Sequence, residues 1–115
     1  MNDRRWVRIT TIDQIPLREG RIAFVAGREI AFFNLGDRVL AIDNQCPHKG
    51  GPLADGIVSG DSVVCPLHGW RISLVSGQVE RPGGTASCVT RYPVRIADGL
   101  VLVGLPADAR DGEAA

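Results

Sequence analysis

Residues 46–51 read CPHKGG and residues 65–70 read CPLHGW. Each stretch sets one cysteine and one histidine on a short loop rich in proline and glycine, as Cys46-x-His48 and Cys65-x-x-His68, and the chain holds no other histidine. Two soft thiolates and two borderline imidazoles suit zinc or an iron-sulfur centre and do not suit calcium or magnesium, which take oxygen ligands. Structural zinc sites usually pair Cys with Cys and His with His at short spacing. Here the order is Cys, His, Cys, His. That alternation suits a two-iron cluster in which one iron takes both cysteines and the other both histidines, since each loop then reaches both irons. A zinc-stabilised interaction module built on the same residues is the competing reading.

Outward from these loops the chain reads as short strands. Residues 21–26 (RIAFVA), 29–35 (EIAFFNL) and 38–43 (RVLAID) are β-branched and aromatic runs separated by Gly27-Arg28 and Gly36-Asp37, where glycine supplies the positive φ of tight turns; they predict a meander. Further back, residues 6–10 (WVRIT) alternate apolar and polar with period two. Residues 11–16 (TIDQIP) predict one helical turn, with Thr11 or Asp13 as cap and Pro16 ending it. Between the loops, residues 57–58 and 61–65 flank Ser59-Gly60 as a hairpin leading into the second loop. Residues 71–75 leave that loop as a strand, and Ser76-Gly77 turns the chain toward 78–81.

Residues 82–87 (PGGTAS) carry too much Gly, Pro and small residue for a strand and predict a loop. Residues 89–96 (VTRYPVRI) and 100–105 (LVLVGL) predict a closing hairpin, with Pro93 at an edge or bulge. No segment predicts a long amphipathic helix. The expected class is all-β, an antiparallel sandwich or barrel, with the two ligand loops as a subdomain over about residues 44–72 inserted at one end. A single domain is expected over 1–105, followed by a flexible tail over 106–115, which has little to bury.

Composition closes off other functions. At 115 residues the chain makes one domain with its own core. Thirteen basic and thirteen acidic residues cancel, so no net field points to nucleic acid or an acidic membrane. No apolar run approaches a membrane span and no hydrophobic region follows the polar N-terminus, so a cytoplasmic location is expected. With Cys46 and Cys65 given to a metal, Cys88 is left without a disulfide partner and reads as a small core residue.

The stretch CPHKGGPLADGIVSGDSVVCPLHGW resembles the cluster-binding segment of the Rieske 2Fe-2S family, with all four ligands at that family's spacing. The resemblance implies one 2Fe-2S cluster, with Cys46 and Cys65 on one iron and His48 and His68 on the other. Gly51 and Leu67 stand where one branch of the family carries an interloop disulfide, so the chain is similar to the ferredoxin-like branch. IAFFNLGDRVLAIDNQCPHKGGPLADGIVSGDSVVCPLHGWRISLVSGQ with CVTRYPVRIADGLVLVGL is further similar to the small-subunit group of assimilatory NAD(P)H-dependent nitrite reductases. That likeness implies a partner carrying flavin, a 4Fe-4S cluster and sirohaem, and an electron-transfer or assembly role with no substrate site on this chain. A free-standing ferredoxin serving a ring-hydroxylating dioxygenase, with a reductase and an oxygenase as partners, is the alternative. By the resemblance, Lys49, Pro66, Leu67 and Trp70 would line a docking face on the histidine side. Trp70 also stands where high-potential members carry a serine hydroxyl, which places the expected potential on the order of −150 mV rather than +300 mV.

Overall fold

The computed structural model describes residues 5–44, 52–66, 69–81 and 84–105. In chain order the strands are β1 (Arg5–Thr11), β2 (Gly20–Val25), β3 (Arg28–Asn34), β4 (Val39–Asp43), β5 (Ile57–Ser59), β6 (Ser62–Val64), β7 (Arg71–Ser73), β8 (Gln78–Arg81), β9 (Gly84–Cys88), β10 (Arg91–Tyr92), β11 (Val94–Ala97) and β12 (Leu100–Leu105). They form three sheets, ordered β1-β12-β11, β10-β4-β3-β2 and β5-β6-β7-β8-β9, with antiparallel neighbours throughout. The all-β class read from the sequence is the observed one. Helical structure among the described residues is confined to single 3-10 turns at Ile12–Gln14 and Leu53–Asp55.

Strand β3 shows why the sheets stack as they do. Successive side chains of a strand point to opposite faces. Ile30 and Phe32 enter a core shared with Ile15, Val39, Ala41, Tyr92, Val101 and Val103. Ala31 and Phe33 enter a second core with Ile42, Leu53, Val63, Cys65, Ile72 and Val79. All four side chains are at most 1% exposed. A strand covered on both faces has no solvent side to keep polar, so it reads as a continuous apolar run rather than an alternating one. The central sheet is therefore the middle of three layers.

The five-stranded layer is an excursion from that central sheet. The chain leaves at the end of β4 and returns beside it, because β10 pairs with β4 at Arg91↔Ile42 and Tyr92↔Ala41 and the Asp43 N–H donates to the Thr90 carbonyl at 3.0 Å. Everything between, the ligand loops included, hangs from two adjacent strands. On the exposed side, Arg38 Nη2 meets Asp61 Oδ1 at 2.8 Å across the two layers, a surface ion pair that adds little stability.

Several local expectations are corrected. The expected single strand over 89–96 is two strands in two sheets, broken at Pro93. Proline has no N–H to continue the β4 ladder, and beyond it β11 pairs instead with β12, from Val94↔Val103. The expected loop over 82–87 contains β9, which pairs with β8 at Gln78↔Cys88, Glu80↔Thr85 and Arg81↔Gly84, with an irregular step that absorbs the mismatch. A neighbouring strand outweighs the poor propensity of Gly and Ser there. The strand expected over 71–75 stops at Ser73, whose Oγ accepts the N–H groups of Val75 and Ser76 at 3.2 and 3.1 Å and opens the turn early. At the first 3-10 turn no side chain caps the backbone; the Thr11 hydroxyl donates to the Asp13 carboxylate instead. The β2–β3 hairpin turns on Ala26-Gly27, both at positive φ (52° and 77°), one residue earlier than expected.

Candidate metal centre

The second ligand loop is the tip of the β6–β7 hairpin. The two strands pair as far as Val64↔Arg71, which leaves residues 65–70 as the loop. Its root is closed by two backbone hydrogen bonds: the Cys65 N–H donates to the Trp70 carbonyl at 2.7 Å, and the Gly69 N–H donates to the Cys65 carbonyl at 3.0 Å. Gly69 closes the turn at φ +73°, a conformation in which a side chain is strained. Cys65 is thus fixed at both its N–H and its carbonyl, and its side chain is 2% exposed against Leu53, Val63 and Ile72. Trp70 is half-buried and packs against the same core, whereas Pro66 is exposed.

The first ligand loop is bounded by Asn44 at the end of β4 and by Pro52 with the Leu53–Asp55 turn on its far side. Asn44 is the buried polar side chain of the described core, 1% exposed. Leu53 and Ala54 are buried, and Ala54 sits so close to β2 that a Cβ on Gly20 would stand 2.7 Å from its carbonyl oxygen. The same stem abuts the second loop's strand: a Cβ on Gly56 would stand 2.4 Å from the Val64 carbonyl oxygen. The stems of the two loops are therefore in backbone contact one residue short of Cys65.

Of the expected ligands, Cys65 lies among the described residues, while Cys46, His48 and His68 lie outside them, as do Lys49 and Leu67. What is described fits an iron-sulfur cluster. The position is a free cysteine in an apolar, water-shielded place, held at a strand end in a turn closed by a glycine at positive φ.

At the end of β4, against the other core, is a polar patch that sequence reading left without a role. The buried Tyr92 hydroxyl donates to Asp43 Oδ1 at 2.6 Å and accepts from Arg28 Nη1 at 3.4 Å, and the Arg28 guanidinium lies 5.9 Å from the ring centroid. Burial, reinforced by the Asp43 hydrogen bond, pushes the Tyr92 phenol up to about 12. The folded-state value lies above the ordinary 10.0, so the stability carried by neutral Tyr92 is whole below pH 10 and is lost as pH rises through about 12. Denaturant unfolding followed from pH 9 to 12 should show wild-type stability falling more steeply than that of Tyr92→Phe. Parallel curves would contradict the assignment.

A buried strand-end cysteine on a hairpin, braced against the stem of a Cys-x-His loop, is a setting that suits a metal thiolate. The chain belongs to the Rieske [2Fe-2S] domain family, whose model matches residues 5–93. It is accordingly a Rieske electron-transfer protein, and its cofactor is one Rieske-type 2Fe-2S cluster, which sets aside the zinc module. It is 31% identical over 102 residues to the ferredoxin component of the naphthalene 1,2-dioxygenase/salicylate 5-hydroxylase systems of Ralstonia sp., covering 87% of this chain and 95% of that one. It is 34% identical over 106 residues to the nitrite reductase [NAD(P)H] large subunit of Klebsiella oxytoca, covering 88% of this chain and 11% of that one. Among solved structures, the ferredoxin of carbazole 1,9a-dioxygenase from Nocardioides aromaticivorans superposes with a TM-score of 0.78 at 29% identity, over 85% of this chain and 95% of that one. A candidate nitrite reductase NADPH small subunit superposes at 0.75 with 25% identity, over 86% and 97%. No helix among the described residues is long and apolar enough to cross a membrane.

Proposed function

We propose that Cys46 and Cys65 hold one iron of the cluster and His48 and His68 the other, and that this chain is the small subunit of an NAD(P)H-dependent nitrite reductase of nitrate assimilation. The observation that carries the ligand reading is Cys65, buried and locked at both backbone groups at the head of β6. When bound, the cluster supplies a one-electron couple without an open coordination position. The chain's own residues hold it, keep water from the cysteine side through Leu53, Val63 and Ile72, and leave the histidine side for a partner. Lys49, Pro66, Leu67 and Trp70 border that side as the docking face. Trp70 brings no hydroxyl toward the cluster, which keeps the potential at the low end of the family's range. The domain spans 1–105 with its cluster-binding part over about 44–72, and the partner is a cytoplasmic large subunit with flavin, 4Fe-4S and sirohaem.

The nitrite reductase reading is supported by the 34% identity to a stretch of the Klebsiella protein and by the likeness to a candidate small subunit of which this chain spans 97%. The dioxygenase ferredoxin reading is supported by the 31% identity over 95% of the Ralstonia ferredoxin and by the 29% identity to the carbazole dioxygenase ferredoxin, above the 25% to the candidate small subunit. Affinity capture of the tagged, cluster-loaded protein from its source cells separates the two. A co-purifying protein with sirohaem absorption, and NAD(P)H-dependent loss of nitrite in the captured fraction, is the expected result. Capture of an oxygenase or its flavin reductase would replace the first reading with the second.

A further inference from the structure

The polar side chain buried at the foot of the first ligand loop is Asn44, and its contacts are specific at both ends. Its Oδ1 accepts the Ala54 backbone N–H at 2.7 Å, and its Nδ2 donates to Glu29 Oε2 at 2.7 Å. Ala54 N–H can only donate, so the amide oxygen must face it and the amide nitrogen must face the Glu29 carboxylate. The Asn44 N–H donates in addition to the Glu29 carbonyl at 3.0 Å, which continues the β3–β4 ladder one step past its last paired residue. Residue 44 is the last described residue before the first ligand loop, and Ala54 lies in the turn that follows it. One side chain therefore ties the two stems of that loop together and anchors the tie to β3.

Neither stem is free to relax around a broken tie. The Ala54 stem is wedged against Gly20 of β2, and its continuation at Gly56 against Val64 of β6, which carries Cys65. From this geometry we infer that Asn44 is a positioning residue for the cluster: it clasps the first ligand loop and sets the place of Cys46 and His48 relative to Cys65. The inference rests on the ligand assignment above. A buried donor left without its partner is costly to the folded state, and opening the clasp strands the buried Ala54 N–H and takes a partner from the half-buried Glu29 carboxylate.

The test uses the anaerobically purified holoprotein. Wild type, Asn44→Ala, Asn44→Asp and the double change Asn44→Asp with Glu29→Gln are compared by iron and sulfide content, EPR of the reduced cluster, midpoint potential and the rate of iron loss to a ferrous chelator. Asn44→Asp keeps an acceptor for Ala54 but sets two carboxylates against each other. The added Glu29→Gln reverses the second hydrogen bond and restores both. Iron loss from Asn44→Ala should be faster by about tenfold, the factor that one unmade buried hydrogen bond is worth, with a shifted EPR line shape. The double variant should return to the wild-type rate and line shape. Val103→Ala, in the other core, serves as a control of lowered stability and should leave the EPR line shape unchanged. A wild-type rate and spectrum in Asn44→Ala would overturn the inference, as would a double variant no better than Asn44→Asp. If Asn44→Ala does not fold, the comparison of Asn44→Asp with the double variant decides the matter. A wild-type protein without iron and sulfide would instead overturn the ligand assignment itself, before any variant is read.

Discussion

Cys65→Ala will yield a protein that keeps its β-sheet circular dichroism and loses its 2Fe-2S cluster. The fold should survive because the change removes little from the core. Cys65 is one member of a layer that also holds Phe33, Ile42, Leu53, Val63, Ile72, Leu74 and Val79, and a lost methylene-sized group costs roughly 0.8 kcal/mol. The backbone hydrogen bonds at residue 65 do not depend on its side chain, so the hairpin root stays closed. What alanine cannot supply is the thiolate. With the proposed ligand set cut to three the chain would no longer hold the cluster, and visible absorption together with iron and sulfide analysis should fall to background. Cys88→Ala, outside the ligand spacing, should keep the colour. Full iron content in Cys65→Ala would remove Cys65 from the ligand set.

Gly56→Ala will destabilise the protein and loosen the cluster, and for an unusual reason. Gly56 sits at φ −77° and ψ 175°, a conformation any residue adopts, so alanine meets no dihedral penalty there. The obstruction is space: an added Cβ would stand 2.4 Å from the Val64 carbonyl oxygen, 2.8 Å from Val63 Cγ2 and 3.1 Å from the Leu53 carbonyl oxygen. Two of these are backbone atoms of the stems that carry the ligand loops, and neither can swing aside as a side chain would. Overpacking of this kind costs about 1–3 kcal/mol, and the midpoint of thermal unfolding should fall by on the order of 10 °C. Because the stem that yields leads directly to Cys65, iron loss to a chelator should accelerate as well. An unchanged melting temperature would show that the two stems are not pressed together as described.

Much of the frame was legible in the sequence because its signals are local. The alternation in residues 6–10, the glycine at each meander turn and the apolar run over 30–33 each depend on residues within a few positions, and β1 to β4 fall within a residue or two of where those signals put them. The same run did not disclose that its two faces serve two separate cores, since a continuous apolar stretch is silent about what lies on either side. Strand β9 was hidden because residues 84–87, Thr85 apart, have little strand propensity of their own and form a ladder through β8. The break at Pro93 was half legible: the proline marked an interruption, but only the topology shows that the chain changes sheets there.

At the site, the spacing of Cys46, His48, Cys65 and His68 and the likeness it carries pointed to the cofactor without any coordinates. The supports were another matter. Asn44 gives one faint signal, a polar amide ending the apolar strand two positions before Cys46, and Gly56 looks like any turn glycine until Val64 is placed beside it. Tyr92 and Asp43 are 49 residues apart and meet only because β10 returns to β4.

The most direct measurement is pulsed electron–nuclear double resonance on the dithionite-reduced protein, purified without oxygen and labelled with 15N at histidine. Two distinct strongly coupled nitrogens, both shifted by the label, are the predicted result, since His48 and His68 are the only histidines the chain has to offer. A reduced 2Fe-2S spectrum without label-sensitive nitrogen coupling, or a protein that carries zinc in place of iron and sulfide, would contradict the account.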